Sequence, residues 1–181
     1  SCVGRFRLRD THRYSIRVCR LLAAALQREY NSCASRESFL VPVWLGWLTD
    51  SEVNGKGEVC FSPYLVAVLL RVLVRASRYA SSVLVVGFYA DLLERLQQAV
   101  LALLPSVFPD RARAGCVLAD QLSFLTPKTA RGREFDVAVV LAVKKCPKEA
   151  CWTGRHFLDP GCIEVALTRG RTGTYVVMDE V

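Results

Sequence analysis

The sequence has no apolar run long enough to cross a membrane. Its longest strongly apolar stretch, residues 65–74, is interrupted by Arg71 and falls well short of the ~20 residues that a spanning helix requires. Arg5, Arg7 and Arg9 lie close to the first residue, and no apolar segment typical of a secretory signal accompanies them. We therefore expect a protein without a membrane partner that resides inside the cell, in the nucleus or the cytoplasm.

The sequence also lacks the cysteine spacing of a zinc site or of a disulfide scaffold. Its eight cysteines are scattered along 181 residues, and a chain of this size needs no crosslinks to form a core. Cys146, Cys151 and His156 lie near one another in sequence, but they do not supply four ligands at the usual spacing. We predict no metal site and a reducing compartment.

Internal repeats, low-complexity tracts and interdomain linkers are likewise missing from the sequence. With 52% hydrophobic residues, the chain can bury enough apolar surface to offset its ordering entropy. We predict a single ordered domain over residues 1–181, and the absence of an initiator Met suggests a piece of a longer chain. The net charge of +7 favours a polyanionic partner, although such an excess also describes many ordinary solvated surfaces.

What the sequence does contain is an alternation of helical and strand-like apolar patterns. Helices are predicted at residues 14–31, at 63–78, and after residue 88 with an end just before Pro105. Strands are predicted at residues 39–47, 82–88, 116–118, 137–143 and 174–178. Strands that alternate with helices predict a mostly parallel sheet in a three-layer α/β fold. In such folds ligands meet the loops at the carboxyl ends of the strands.

A first chemically informative segment is TPKTARGREFD at residues 126–136, directly before a predicted buried strand. Gly132 lets main-chain N–H groups approach an anion, and Glu134 can accept a hydrogen bond from a water or a ribose. Arg131 and Arg133 add positive charge. The segment has the composition of an anion-binding loop.

A second segment, IEVALTRGR at residues 163–171, has the same character. It is predicted to be a loop in which small residues allow close packing while Arg169 and Arg171 remain available for phosphate. A guanidinium fork matches phosphate oxygens better than an ammonium does.

These segments resemble the motifs of superfamily 1 helicases. GREFD at 132–136 is similar to motif V, and VALTRGR at 165–171 is similar to motif VI of the branch that includes the nonsense-mediated-decay and coronaviral helicases. His12-Arg-Tyr14 resembles motif IV, and residues 83–89 resemble the strand and tyrosine-containing loop that precede a helix in that family. The resemblance extends over almost the whole chain.

The resemblance implies a RecA-like domain, the second lobe of a two-lobe helicase core that holds ATP with Mg²⁺ in the cleft between its lobes. The N-terminal RecA-like lobe supplies the phosphate loop and the magnesium carboxylate, and this sequence has neither motif. The segment is therefore not expected to be active alone. By similarity, Arg13 and Arg169 would act as catalytic arginine fingers at the γ-phosphate, while Gly132, Glu134 and Arg171 would contact the nucleotide.

The second lobe in this family also grips single-stranded nucleic acid, RNA or DNA, mainly through phosphates. The resemblance implies that the strand would lie against the tyrosine-containing loop and the start of the motif V segment. The matching positions are Gly87, Phe88, Tyr89, Thr126 and Thr129.

Several positions leave other interpretations open. Arg13 could pair with Asp10, Glu134 could form an ordinary surface ion pair, and Tyr89 could belong to the core. The chain also departs from the helicase motifs at Leu92, Lys128, Arg131, Cys162 and Glu164. The alternative function is therefore a degenerate helicase-like domain that serves as a nucleic-acid or protein docking scaffold in a larger assembly.

Overall fold

The computed structural model describes residues 10–11, 15–27, 30–32, 38–44, 63–77, 80–107, 121–142 and 159–178. Within these residues the strands are β1 (Asp10–Thr11), β2 (Asn31–Ser32), β3 (Phe39–Trp44), β4 (Val83–Gly87), β5 (Leu122–Leu125), β6 (Phe135–Ala142) and β7 (Gly170–Met178). The helices are α1 (Ile16–Leu26), α2 (Pro63–Ser77), α3 (Ala90–Val107) and α4 (Pro160–Leu167). No helix in these ranges is long and apolar enough to span a membrane.

The centre of the fold is a five-stranded sheet in the order β3-β7-β6-β4-β5. Every pairing in it is parallel, and β1 and β2 form a separate parallel pair. Each residue of β4 is buried, as expected for a parallel strand covered on both faces. The predicted parallel α/β sheet is confirmed.

Side chains on the two faces of the sheet belong to two different cores. Alternate residues of β4 show the division, since Val83 and Val85 pack with α2 and α3, whereas Leu84 and Val86 pack with α1 and α4. This alternation follows from the two-residue period of a strand. The result is a three-layer arrangement in which α4 covers the face opposite to α2 and α3.

Two helices differ from the sequence prediction. Helix α1 begins after Ser15, whose side chain accepts a hydrogen bond from the N–H of Val18, and it ends at Leu26 because Gln27 adopts a left-handed conformation with φ of 50°. Helix α3 continues through Pro105 to Val107, so the predicted end before the proline is wrong. Leu101 and Pro105 are both exposed, and water can therefore satisfy the carbonyl that loses its helical partner.

The second informative segment is not a loop. Residues 160–167 form α4, which begins with Asp159 as its N-cap and Pro160 in the first turn, an arrangement that favours helix initiation. Strand β7 then begins at Gly170, four residues before the predicted start. Strand β5 was not predicted at all, and the predicted strand at residues 116–118 lies outside the described residues.

Candidate functional site

The predicted site residues that the structure describes fall on two opposite edges of the sheet. The positions assigned to nucleic acid follow the carboxyl ends of β4 and β5, whereas those assigned to the nucleotide lie at the amino ends of β6 and β7. All these strands are parallel, so their carboxyl ends share one edge and their amino ends share the other. The expectation that ligand-bearing loops lie at carboxyl ends therefore applies to the first set alone. Residues 126–134 connect the two edges.

At the carboxyl edge a pocket of about 340 Å³ brings three of the predicted residues together. Phe88, Tyr89 and Thr126 line it. No functional role is predicted from the sequence for the other residues of the wall, which are Ala90, Asp91, Pro127, Lys128 and Cys162. Most of them adjoin a predicted residue in sequence, but Cys162 comes from α4 and no sequence signal places it here.

Thr126 and Thr129, both predicted to bind nucleic acid, are hydrogen-bonded to each other. The N–H of Thr126 donates to Thr129 Oγ1 at 3.0 Å, and Thr129 Oγ1 donates to the carbonyl oxygen of Thr126 at 3.1 Å. These bonds close the turn with which the segment 126–134 begins.

Gly87, a further residue of the predicted nucleic-acid contact, has no free space beside its Cα atom, because an added Cβ would lie 2.9 Å from Leu93 Cδ1.

At the amino edge, Glu134 and Arg171 form an ion pair. Arg171 Nε lies 3.2 Å from Glu134 Oε2, and the two side chains are 62% and 39% exposed. The structure thus contains the surface ion pair that the sequence analysis left open for Glu134. Exposed pairs of this kind contribute roughly 0 to 1 kcal/mol, so the arginine can exchange this partner for a phosphate at little cost. The nucleotide contacts of both residues remain predictions.

Arg169 is buried, with 6% of its surface exposed. Its Nε donates to the carbonyl oxygen of Val165 at 3.0 Å, Nη1 donates to the carbonyl oxygen of Arg133 at 3.1 Å, and Nη2 donates to Thr168 Oγ1 at 3.0 Å. The guanidinium is therefore fixed in position and orientation between α4 and residues 131–134. Its sequence neighbours gave no indication of this arrangement.

Two glycines shape the amino edge for different reasons. Gly132 has a φ of 75°, which favours glycine, and nothing lies within 4 Å of an ideal Cβ there. An anion can thus approach its main chain closely. Gly170 has no such room, since an added Cβ would collide with the carbonyl oxygen of Gly173 and lie 2.9 Å from the main-chain nitrogen of Ala138.

Asp136, the last residue of GREFD, has a structural role that the sequence analysis did not assign. Its Oδ2 accepts hydrogen bonds from the N–H groups of Ser81 at 2.8 Å and Ser82 at 3.0 Å. In return, the N–H of Asp136 donates to Ser82 Oγ at 3.0 Å. The start of β6 is thereby joined to the turn that precedes β4.

Cys162, in the pocket wall, is a buried thiol that donates to Asp159 Oδ2 at 3.3 Å. Burial raises the pKa of the Cys162 thiol, and the adjacent carboxylate raises it further. The hydrogen bond from this thiol, followed by the bond from the N–H of Gly161, holds the pKa of Asp159 below its usual range. At neutral pH the pair is therefore a thiol and a carboxylate.

Other predicted positions lie outside the described residues. Arg13, the second predicted arginine finger, is one of them, and so are Cys146, Cys151 and His156. Among the residues that are described, no group of three or more His, Cys, Asp or Glu side chains could hold a metal ion.

No family model matches the chain, and no curated protein matches it. Among solved structures, it is similar to the C-terminal domain of a possible DNA helicase from Lactobacillus plantarum WCFS1, with a TM-score of 0.50 and 11% sequence identity. The match covers 93% of this chain and 88% of that chain. At this identity the likeness concerns the fold alone, and the predicted three-layer RecA-like fold is confirmed.

Proposed function

We propose that the chain is the second motor lobe of an ATP-dependent helicase. The observation that carries this proposal is the course of residues 126–134, which run from the pocket at one edge of the sheet to Arg169 at the other. A motor lobe needs such a connection, because a change at the nucleotide must reach the residues that hold the strand. The nucleotide would be ATP with Mg²⁺, held mainly by a first lobe of the same protein.

The chemistry of the amino edge fits a nucleotide. Gly132 leaves its main chain open to an anion, and the exposed Arg171 is paired with Glu134, two residues after Gly132 in the chain. As water attacks the γ-phosphorus and the bond to the bridging oxygen breaks, Arg169 would stabilise the charge on the γ-phosphoryl oxygens, and ADP, phosphate and a proton would leave. Arginine fingers supply about 10³ to 10⁵ in rate.

The carboxyl edge fits a single strand. The pocket is lined by the partly buried Tyr89 and the exposed, cationic Lys128, with Phe88 behind them at 7% exposure. Aromatic faces stack on bases irrespective of sequence, and cationic side chains attract the phosphates. Thr126, in the pocket wall, and Thr129, hydrogen-bonded to it, would contribute hydroxyl and main-chain contacts. Gly87 is buried against Leu93, and its contact with the strand rests on the motif resemblance alone.

The experiment is nucleic-acid-stimulated ATP hydrolysis by the full-length protein. Arg169→Ala should reduce turnover at least about a hundredfold while the protein stays folded, as judged by circular dichroism. Arg71→Ala is the matched control, because Arg71 is an exposed arginine on α2, on the opposite face of the sheet from α4. Unchanged turnover in Arg169→Ala would rule out the arginine finger.

A second candidate function is a docking scaffold with a helicase fold. One observation favours it, namely that Arg169 and Glu134 both have partners within this chain. A scaffold would bind a single strand with no hydrolysis in the wild-type protein. The same assay therefore separates the two candidates before any variant is made.

A further inference from the structure

We infer that Thr168 is a positioning residue for Arg169. The inference rests on the proposed function, because it assigns a role in hydrolysis to a residue that would not touch the nucleotide. Thr168 caps the carboxyl end of α4, directly before Arg169 in the chain, and is 4% exposed. Its hydroxyl accepts a hydrogen bond from Arg169 Nη2 at 3.0 Å.

The threonine hydroxyl has a fixed orientation. Its oxygen lies 2.7 Å from the carbonyl oxygen of Glu164, to which it donates its proton, while the N–H of Thr168 donates to the same carbonyl at 3.1 Å. With the proton directed toward the helix, the lone pairs of the oxygen are directed toward the guanidinium. Arginine carries only donors, so an oriented acceptor fixes the plane of its guanidinium.

Among the three acceptors described for Arg169, Thr168 is the one that a substitution can remove. The other two are the main-chain carbonyls of Val165 and Arg133. Each terminal nitrogen of a guanidinium has more than one N–H bond, so a nitrogen held within the lobe can still donate to a phosphate. A guanidinium held in advance loses little freedom when charge develops on that phosphate.

The test compares Thr168→Val with Thr168→Ser in the full-length protein. Valine keeps the size of threonine but removes the acceptor, and serine keeps the hydroxyl. Thr168→Val should lower kcat by about tenfold to a hundredfold, with the KM for ATP changed less than about twofold. Thr168→Ser should retain turnover within about threefold of wild type. A kcat for Thr168→Val within about twofold of wild type would overturn the inference.

Thr174→Val provides a matched control. Thr174 is also fully buried, and its hydroxyl donates to a carbonyl of the same helix, that of Leu167, at 3.4 Å. No bond between this hydroxyl and Arg169 is described. If the loss in Thr168→Val reflected only a missing buried hydrogen bond, Thr174→Val would lower kcat to the same extent, and the inference would be wrong.

A double-mutant cycle distinguishes failure of the inference from failure of the proposed function. In an Arg169→Ala background, Thr168→Val should cause no further loss of turnover, because the residue that it positions is gone. If Thr168→Val lowers turnover as strongly in that background as in wild type, the inference is overturned, but the proposed role of Arg169 as an arginine finger is not. An active Arg169→Ala protein overturns both. If Thr168→Val does not fold, Thr168→Cys replaces it in every comparison, since a thiol is a poor acceptor.

Discussion

Arg169 donates a hydrogen bond from Nη1 to the main-chain carbonyl oxygen of Arg133 over 3.1 Å. A main-chain hydrogen bond links the same two segments, since the N–H of Phe135 donates to the carbonyl oxygen of Arg169 at 3.0 Å. The segments that resemble motifs V and VI are therefore joined at this point through both main chain and side chain. A displacement of residues 131–134 would move the arginine directly.

The close approach at Gly170 predicts that this glycine is needed for folding. Its neighbours, the carbonyl oxygen of Gly173 and the nitrogen of Ala138, are main-chain atoms of β7 and β6 that cannot move away singly. Gly170→Ala should lower the free energy of unfolding by about 1 to 3 kcal/mol, a usual cost of overpacking. Urea denaturation of the wild type and of Gly170→Ala measures this difference in the free energy of unfolding.

Gly161→Ala is the control for that experiment. An added Cβ at Gly161 would meet only the side-chain Oδ1 of Asp159, at 3.3 Å, and the residue lies in α4, where alanine is the better helix former. Its stability should equal or slightly exceed that of wild type. If Gly170→Ala proved as stable as Gly161→Ala, the tight contact between β6 and β7 would be refuted.

The pocket at the carboxyl edge predicts two different losses of affinity for a single strand. When the logarithm of the association constant is plotted against the logarithm of the salt concentration, the slope is negative. Lys128→Ala should make it less negative by about 0.7, the value for one phosphate contact on a single strand. Tyr89→Ala should weaken binding by about 1 to 3 kcal/mol through lost stacking and leave the slope unchanged. Fluorescence anisotropy titrations at several salt concentrations measure both quantities.

Tyr89→Phe serves as the control, because it keeps the aromatic face and loses only the hydroxyl. Its affinity should match that of wild type. Tyr89 already packs against the cores on both faces of the sheet, as its core interpretation predicts. If Tyr89→Ala bound the strand as tightly as Tyr89→Phe, this packing would be its role and the aromatic ring would have no part in binding.

The thiol of Cys162 should react slowly with alkylating reagents. The thiolate is the nucleophile, and burial together with the Asp159 carboxylate raises the pKa of Cys162. Asp159→Asn removes the charge but keeps a good N-cap side chain, so it should lower that pKa and shift alkylation toward lower pH. Peptide mass spectrometry after iodoacetamide treatment over a pH series measures the shift, and identical profiles for the two proteins would contradict it.

Asp159 should also make the stability of the folded chain more sensitive to acid. Its pKa is lowered in the folded chain, first by the thiol of Cys162 and then by the N–H of Gly161. A lowered pKa stabilises the folded state at pH values above the pKa that aspartate has in an unfolded chain. This contribution is lost as the pH falls through the lowered pKa. Thermal unfolding between neutral and acidic pH should therefore show a smaller decrease in midpoint for Asp159→Asn than for wild type. An equal decrease would refute the contribution.

The sequence predicted those parts of the fold whose burial leaves a clear apolar pattern. The strand predicted at residues 82–88 is β4 within one residue at each end, because both of its faces are buried. Strand β5 has no such pattern, since among the described strands it pairs with β4 alone and its residues are only partly buried. Helix α4 carries no clear helical period in its sequence, because residues 161–167 are apolar except for Glu164 and all of them are buried or partly buried.

The candidate site was less predictable than the fold for a physical reason. Motif resemblance identified Arg169, Glu134 and Arg171, but the partners of a side chain depend on main-chain atoms that sequence patterns do not position. The carbonyl oxygen of Arg133 lies 36 residues before Arg169 in the chain. Cys162 reaches the pocket through the placement of α4 over the sheet.

The most direct measurement of the central claim is the affinity of the full-length protein for ADP with aluminium fluoride, which mimics the transferring phosphoryl group. An arginine finger acts on the transition state and not on bound ADP. Arg169→Ala should therefore weaken binding of the analogue by at least about a hundredfold and leave the affinity for ADP alone unchanged. Equal affinities of wild type and Arg169→Ala for the analogue would contradict the account.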